Sequence, residues 1–474
     1  MPNRVYLRPC VAVIALLTAS PAAAQKVPTA GYLPHWELGG SYFDNQFEDQ
    51  AQLLDNITYF GEFRFRPDGT IAVGNNGAGG TGGSSILNMP NVNDPSTWTL
   101  NLIDSRISAM VNTYDKVASV SPSTRTTFTI GGWENSTNFH VFTDGTGAGS
   151  KAAFAAQQVR KILDLSGGKL SGVDLDWEDG CSIANCPLME SNSGSYGNLT
   201  AAIRNILQSD ETQTAFIQDF RFNAGAAIIN NLDSLRLATY DAPHADSSGH
   251  HTSLTAAVTI ANRWINHPNS YDKSKLSIGS GFFGRTLSNP FGGPSSTFSS
   301  LDSSHRASTG EWLADSLTVY LGQGFDGPDS IAAKIDFIRQ EGLNEIFGWE
   351  LHNDNLSTTL DSLGRSHYLA LTQAMHDAAA AVAGDFDGNG EVEGADLAQW
   401  EGDYGVNGNS DANGDGNSDG FDFLIWQQNL TSTGGLAAPV ASVPEPVTLA
   451  LVVLGLANSR IGRRLSRTRC YWRG

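Results

Sequence analysis

Eight short runs of β-branched, aromatic and small residues recur along the first three quarters of the chain, with helix-patterned stretches between them. The strand candidates are Thr29–Trp36, Ile57–Phe63, Thr126–Gly132, Ser171–Glu178, Arg221–Ala227, Leu235–Asp241, Lys275–Phe283 and Glu345–Leu351. Helices are expected over KAAFAAQQVRKILDL, GNLTAAIRNILQ, SLTAAVTIANRWI and SIAAKIDFIRQEG. Eight strands alternating with helices predict an α/β fold of the (β/α)8 TIM-barrel type. The competing arrangement is a doubly wound open sheet, but no glycine-rich dinucleotide turn follows the first strand.

One of these strands is unusual. SGVDLDWED places Asp174, Asp176 and Glu178 at alternate positions, with Val173, Leu175 and Trp177 between them. In a strand the three acids share one face at a spacing of about 7 Å. Unpaired charges are costly to bury, yet the inward face of a barrel strand can carry polar groups at its C-terminal end, where active sites sit. Val173 and Leu175 then pack against the outer helices. Carboxylates this close titrate apart, so one can stay protonated near neutral pH and serve as a general acid. An exposed acidic edge strand is the other reading of the same periodicity.

The 474 residues carry 29 Lys+Arg against 49 Asp+Glu, a net charge of -20, and no basic stripe. That balance excludes a nucleic-acid partner. Arg4 and Arg8, the apolar VAVIALL and the small-residue SPAAAQ read as a secretory signal over 1–24, cut after Ala24. Of the four cysteines, Cys10 lies in that signal and Cys470 in the extreme tail. Outside the cytoplasm, Cys181 and Cys186 can close a small disulfide loop after the acidic strand; a free pair is the alternative. The ten histidines have no zinc-ligand spacing, so no catalytic metal or other catalytic cofactor is expected.

SGVDLDWE resembles the active-site signature of glycoside hydrolase family 18, the chitinase family, which reads Asp-Gly-x-Asp-x-Asp-x-Glu. Gly172, Asp174, Asp176 and Glu178 match it, while Ser171 replaces the first Asp. Further along, TIGGW (Thr129–Trp133) resembles the family's Ser-x-Gly-Gly strand and ATYD (Ala238–Asp241) its Met-Thr-Tyr-Asp strand. GFFGR (Gly281–Arg285) resembles Pro-Phe-Tyr-Gly-Arg, and FGWE (Phe347–Glu350) stands where the family has its terminal-strand Trp. The motifs occur in family order over a barrel domain of residues 25–380.

The resemblance implies a retaining, substrate-assisted glycosidase. In that scheme Glu178 protonates the leaving oxygen, and the sugar's 2-acetamido carbonyl attacks the anomeric carbon to form an oxazolinium. Asp176 orients the acetamido N–H and stabilises the developing charge. Asp174 shares a proton with Asp176, Tyr240 donates to the acetamido oxygen, and Asp241 binds nearby sugar. Trp349 forms the floor under the distorted sugar, and Trp36 and Trp133 stack distal sugars. Taken without the motifs, Tyr240 reads as a barrel-core tyrosine and the tryptophans as packing residues. About 45 residues separate GFFGR from the helix at Ser330, short of the larger α+β insertion of many processive members. An open cleft and internal cleavage are therefore expected.

After Ala383 the composition changes. Gly384–Leu430 contains no Lys or Arg, and DFDGNGEVEGAD (Asp385–Asp396) and DANGDGNSDGFD (Asp411–Asp422) repeat a twelve-residue pattern. Oxygen side chains at positions 1, 3, 5, 9 and 12 with Gly at 6 suit a calcium loop. The side-chain candidates are Asp385, Asp387, Asn389, Glu393 and Asp396, then Asp411, Asn413, Asp415, Asp419 and Asp422; Glu391 and Asn417 offer main-chain carbonyls. The pair of loops resembles a type I dockerin, which implies two structural calcium ions and a cohesin-type protein as partner; a disordered acidic linker is the alternative. A linker over 431–442 leads into VPEP, an apolar run of roughly eleven residues and an arginine cluster at 443–474. The run is shorter than the roughly 20 residues of a spanning helix. It resembles the PEP-CTERM sorting signal, which implies export to the cell surface or exterior of a diderm bacterium; a C-terminal anchor is the alternative. The expected activity is hydrolysis of β-1,4-linked N-acetylglucosamine polymers such as chitin. The alternatives are an endo-β-N-acetylglucosaminidase acting on N-glycans and a chitin-binding lectin, although family lectins typically lack the acid that Glu178 supplies here.

Overall fold

The computed structural model describes residues 26–38, 41–74, 83–133, 135–178, 193–218, 226–268, 270–289, 295–380, 382–387, 392–413 and 417–430. The expected signal at 1–24, all four cysteines including Cys181 and Cys186, the loop residues Asn389, Glu391 and Asp415, and the linker and tail over 431–474 lie outside the described residues.

Eight parallel strands close on themselves. They are β1 (Thr29–Pro34), β2 (Asn56–Phe65), β3 (Arg125–Gly131), β4 (Gly172–Asp176), β5 (Thr212–Ile217), β6 (Ser234–Leu237), β7 (Leu276–Gly281) and β8 (Ile346–Trp349). Each pairs with the next, and β8 returns to β1 with Ile346 opposite Thr29. Helices follow the strands: α1 (Phe47–Leu53), α2 (Ser105–Val120), α3 (Lys151–Leu165), α4 (Ser193–Arg204), α5 (Ala226–Asn230) and α6 (Leu254–Ile265). Beyond them come α7 (Phe298–Thr309), α8 (Pro328–Glu341) and α9 (Ala370–Ala379). This is the expected (β/α)8 barrel.

Local sequence accounts for the helix faces. The Ser150 hydroxyl accepts the Ala153 N–H and caps α3. Ala152, Ala155, Ala156, Val159, Ile162 and Leu163 then bury one stripe of that helix at helical spacing. On the strand beneath, Val173 and Leu175 are fully buried in the same apolar layer.

Two expectations need correction. The fifth strand is not Arg221–Ala227 but β5, Thr212–Ile217; of the expected run, 221–225 lie outside the described residues and Ala226 begins α5. TQTAFI carries no continuous apolar run because Thr214 faces the buried Asp174. The stretch between β7 and α8 also holds more than a connection. Phe283–Thr286, Ser295–Thr297, Val319–Tyr320 and Gln323–Gly324 form a four-stranded antiparallel sheet, and α7 lies within the segment.

The barrel interior has two zones. Toward the strand N-termini lie the buried polar residues Thr58, Thr127, Asp174, Thr214, Ser234, Arg236, Ser277 and Glu345. At the C-terminal mouth, Tyr32, Phe60, Phe216, Tyr240, Phe283 and Phe347 form a separate aromatic cluster against which Trp349 packs. After the barrel, the acidic repeat folds into α10 (Gly394–Asp403) and α11 (Gly420–Asn429). Among the described residues, no helix is long and apolar enough to cross a membrane.

Candidate active site

A cavity of about 630 Å³ opens at the C-terminal mouth of the barrel, within the size range of small-molecule sites. Glu178, Asp176, Tyr240, Asp241, Trp349 and Trp133 line it, together with Tyr32, Phe216, Gln218, His244 and Arg285. Asp174 is fully buried behind this wall. Trp36 is 48% exposed and packs edge-on against Phe60 at 5.7 Å, which in turn meets Trp349 at 5.2 Å.

The approach of β3 to β4 positions the acids. Gly131, with φ at 125°, leaves no room for a side chain: an added Cβ would lie 1.8 Å from the Asp176 carbonyl oxygen. Gly132 N–H donates to that same carbonyl at 2.9 Å. The Ser136 hydroxyl lies 3.0 Å from it and accepts the Glu178 N–H at 2.7 Å. A pair of glycines and one hydroxyl thus orient the strand end from which Glu178 projects.

The three acids occupy three environments. Asp174 accepts hydroxyl hydrogen bonds from Tyr32 at 2.9 Å and Thr129 at 3.1 Å on Oδ2, and from Thr214 at 2.5 Å on Oδ1. Arg236 stands 3.6 Å from Oδ1. Asp176 is buried, and its Oδ1 has no hydrogen-bond partner among the described residues. Burial, with the charges of Glu178 and Asp174 added, raises its carboxyl well above the ordinary range. Glu178 is partly exposed, and Gln218 Nε2 donates to its Oε2 at 3.2 Å.

Opposite them, the Tyr240 ring fits against β7 because residue 279 is glycine; a Cβ there would lie 2.8 Å from the ring. Burial and the nearby carboxylates of Glu178 and Asp176 keep its phenol protonated. Both Asp241 oxygens accept from Arg285, at 2.7 and 2.8 Å. Behind them, His251 Nδ1 accepts the Asp241 N–H at 3.2 Å, and Nε2 donates to the Phe283 carbonyl at 3.1 Å. Burial lowers His251 to about 4, so it is neutral. The Trp349 ring stands 5.4 Å from Tyr32 at the cavity wall.

The acids, Tyr240 and Trp349 are legible in the sequence motifs, whereas Tyr32, Thr214, Gln218 and Arg236 join the site only through the fold. Tyr32 lies on β1 and Arg236 on β6, strands legible in the sequence, but only closure of the barrel shows that both side chains face its interior. Thr214 and Gln218 belong to the misplaced strand and its end.

In the acidic repeat, ligand oxygens of Asp385, Asp387 and Asp396 lie within 4.8 Å of one another. Asp396 accepts the N–H groups of Phe386, Asp387 and Glu393; Asp422 accepts those of Ala412, Asn413 and Asp419 in the same pattern. Glu393 is the N-cap of α10, and its N–H donates to Asp396 Oδ2 at 2.7 Å. The halves also interlock, since Trp400 donates to the Asp419 carbonyl at 2.9 Å and Trp426 to the Glu393 carbonyl at 2.7 Å. The clustered oxygens of Asp385, Asp387 and Asp396 have the chemistry of a hard-cation site.

The fold is shared with solved structures of low sequence identity. A GH18 chitinase from the chitin utilization locus of Flavobacterium johnsoniae is 17% identical with a TM-score of 0.51, over 75% of this chain and 94% of that one. An immunomodulatory active chitinase from Trichuris suis is 18% identical with a TM-score of 0.54, over 75% and 100%. Catalytic domain 2 of the Ostrinia furnacalis Group II chitinase is 16% identical with a TM-score of 0.54, over 75% and 97%. No curated protein matches the chain by sequence. Residues 29–354, well over half of the chain, match the model of Glycosyl hydrolases family 18, and the chain belongs to that family of glycosidases.

Proposed function

We propose that this glycosidase cleaves β-1,4-linked N-acetylglucosamine polymers with retention, using the substrate's own acetamido group as nucleophile. The observation that carries the reading is the convergence of Glu178, Asp176 and Tyr240 on one cavity, with burial favouring the protonated form of Asp176 and its Oδ1 without a hydrogen-bond partner among the described residues. A neutral acid with a spare oxygen suits a group that must meet an amide N–H and then a developing cation.

In this mechanism Glu178 gives its proton to the glycosidic oxygen as the C1–O bond breaks. The acetamido carbonyl oxygen forms the new bond to C1, and the positive charge passes to the oxazolinium. Tyr240 donates to the acetamido oxygen, Asp176 turns to the N–H, and Trp349 supports the ring. Water then attacks C1 while the Glu178 carboxylate takes its proton, which reopens the amide and restores the acid. Trp133 and Trp36, half-exposed at the rim, supply stacking for further sugars.

We infer a domain order of leader (1–24), barrel (25–380), calcium module (384–430), linker (431–442) and sorting segment (443–474). The oxygen cluster at Asp385, Asp387 and Asp396 and the matching hydrogen bonds at Asp422 support structural calcium, two ions in all; the dockerin-like sequence repeat alone is the ground for a cohesin-type partner. The leader-like and PEP-CTERM-like sequences support export to the surface or exterior of a diderm bacterium.

The test is incubation of the wild type and Glu178→Gln with a chitin oligosaccharide series and with an N-glycoprotein. The wild type should shorten the oligosaccharides from within and give the β-anomer first. Loss of a general acid of this kind lowers the rate roughly 10²–10⁴-fold. Full hydrolysis by the variant, or efficient turnover of a glycan without the N-acetyl group, would refute the mechanism. Exclusive release of N-glycans would redirect the substrate.

A further inference from the structure

Arg236 sits at the centre of the barrel with no exposure to solvent. A guanidinium does not give up its proton, and a buried charge must be matched by anions. Its Nε donates to Glu345 Oε1 at 2.7 Å and its Nη1 to Thr58 Oγ1 at 2.8 Å. Nη1 also faces Asp174 Oδ1 at 3.6 Å, while Nη2 has no hydrogen-bond acceptor among the described residues. The guanidinium lies 5.3 Å from the Tyr32 ring centre and 5.7 Å from that of Phe347.

Two acids therefore face one cation, and only one of them bonds it directly. Asp174, the other, is surrounded by donors: the hydroxyls of Tyr32, Thr129 and Thr214 all point to it. That is the environment of an ionised carboxylate, an acceptor on both oxygens. We propose that Arg236 is a positioning residue for the reaction, holding Asp174 ionised so that it can receive the proton Asp176 releases on turning to the acetamido group. The inference rests on the substrate-assisted reading above. The proton passes from the Asp176 carboxyl to the Asp174 carboxylate, leaving Asp176 anionic beside the oxazolinium, and returns when the amide is restored. No other reactant is consumed.

The titratable groups facing this centre are Tyr32 on β1, Asp174 and Asp176 on β4, Glu178 just past it, Tyr240 after β6 and Glu345 before β8, with Tyr196 of α4 behind β4 in the outer layer. β2, β3, β5 and β7 present the hydroxyls of Thr58, Thr129, Thr214 and Ser277.

The experiment is the pH profile of kcat on an N-acetylglucosamine oligomer for the full chain, alongside thermal melts. Activity should fall on the acid side as the pair of buried carboxyls on β4 takes up a second proton. Arg236→Gln should move that limb to higher pH by about one unit or more, the usual effect of removing a neighbouring opposite charge. Glu345→Gln, which leaves Arg236 unshared, should move it to lower pH, and Arg236→Lys should keep it near the wild-type position. A purely structural role would lower the melting temperature of both glutamine variants and leave both limbs in place. If Arg236→Gln does not fold, the direction of the Glu345→Gln shift decides. Unmoved limbs in an active enzyme overturn the inference alone; a wild type inactive on every N-acetylglucosamine oligomer overturns the functional reading and this inference with it.

Discussion

The Tyr32 phenol on β1 donates to Asp174 Oδ2 on β4 at 2.9 Å, joining residues 142 positions apart inside the barrel. Tyr32→Phe keeps the ring packing and removes one of three hydroxyl donors from a buried carboxylate. A lost donor of this kind costs about 1–3 kcal/mol. If the cost falls on the reacting state, kcat drops roughly 5–150-fold. Steady-state rates on chitin oligosaccharides, with circular dichroism to verify folding, measure it.

Asp176 carries a stability consequence separable from catalysis. Its folded-state value is raised well above the ordinary 3.8. The protonated form's contribution is complete below the unfolded value and is lost as pH rises toward the folded one. Asp176→Asn should therefore lose activity yet gain melting temperature over the wild type, by a margin that grows as pH increases above 3.8. A margin independent of pH would contradict the burial of an ionisable group there.

Glu350, just past Trp349, offers a second test with defined limits. Burial and then the neighbouring Glu37 charge raise it from 4.5 to about 8, against a lowering hydrogen bond from Trp36. The sign is the same: stability from the protonated acid is full below 4.5, declines through neutrality and levels off above about 8. The melting temperature of Glu350→Gln should converge with that of the wild type near pH 4 and exceed it increasingly up to pH 8.

The acidic module should respond to metal. Asp385, Asp387 and Asp396 bring their oxygens within 4.8 Å of one another, and like charges at that spacing favour a bound cation. Calcium should raise the protease resistance of residues 384–430 in the full chain, saturating at two equivalents. Chelator should reverse this, and Asp396→Ala should remove one equivalent. Protection unaffected by millimolar calcium would count against the sites.

Sequence alone determined most of the barrel, because strand and helix periodicities are local and seven of the eight strands carry enough apolar or β-branched residues to register. It also determined the acids on β4, since alternation assigns a face without knowledge of neighbours, and it marked the repeated acidic pattern after the barrel, since that spacing lies within one segment. Tertiary structure decided the rest. Thr214 and Thr129 are ordinary strand residues until β3 and β5 bring them against Asp174. Arg236 resembles a surface charge in LRLATYD until barrel closure sets it beside Glu345, 109 positions away. The charge on a buried group depends on which partners surround it in three dimensions, and those partners come from strands that are distant in the chain.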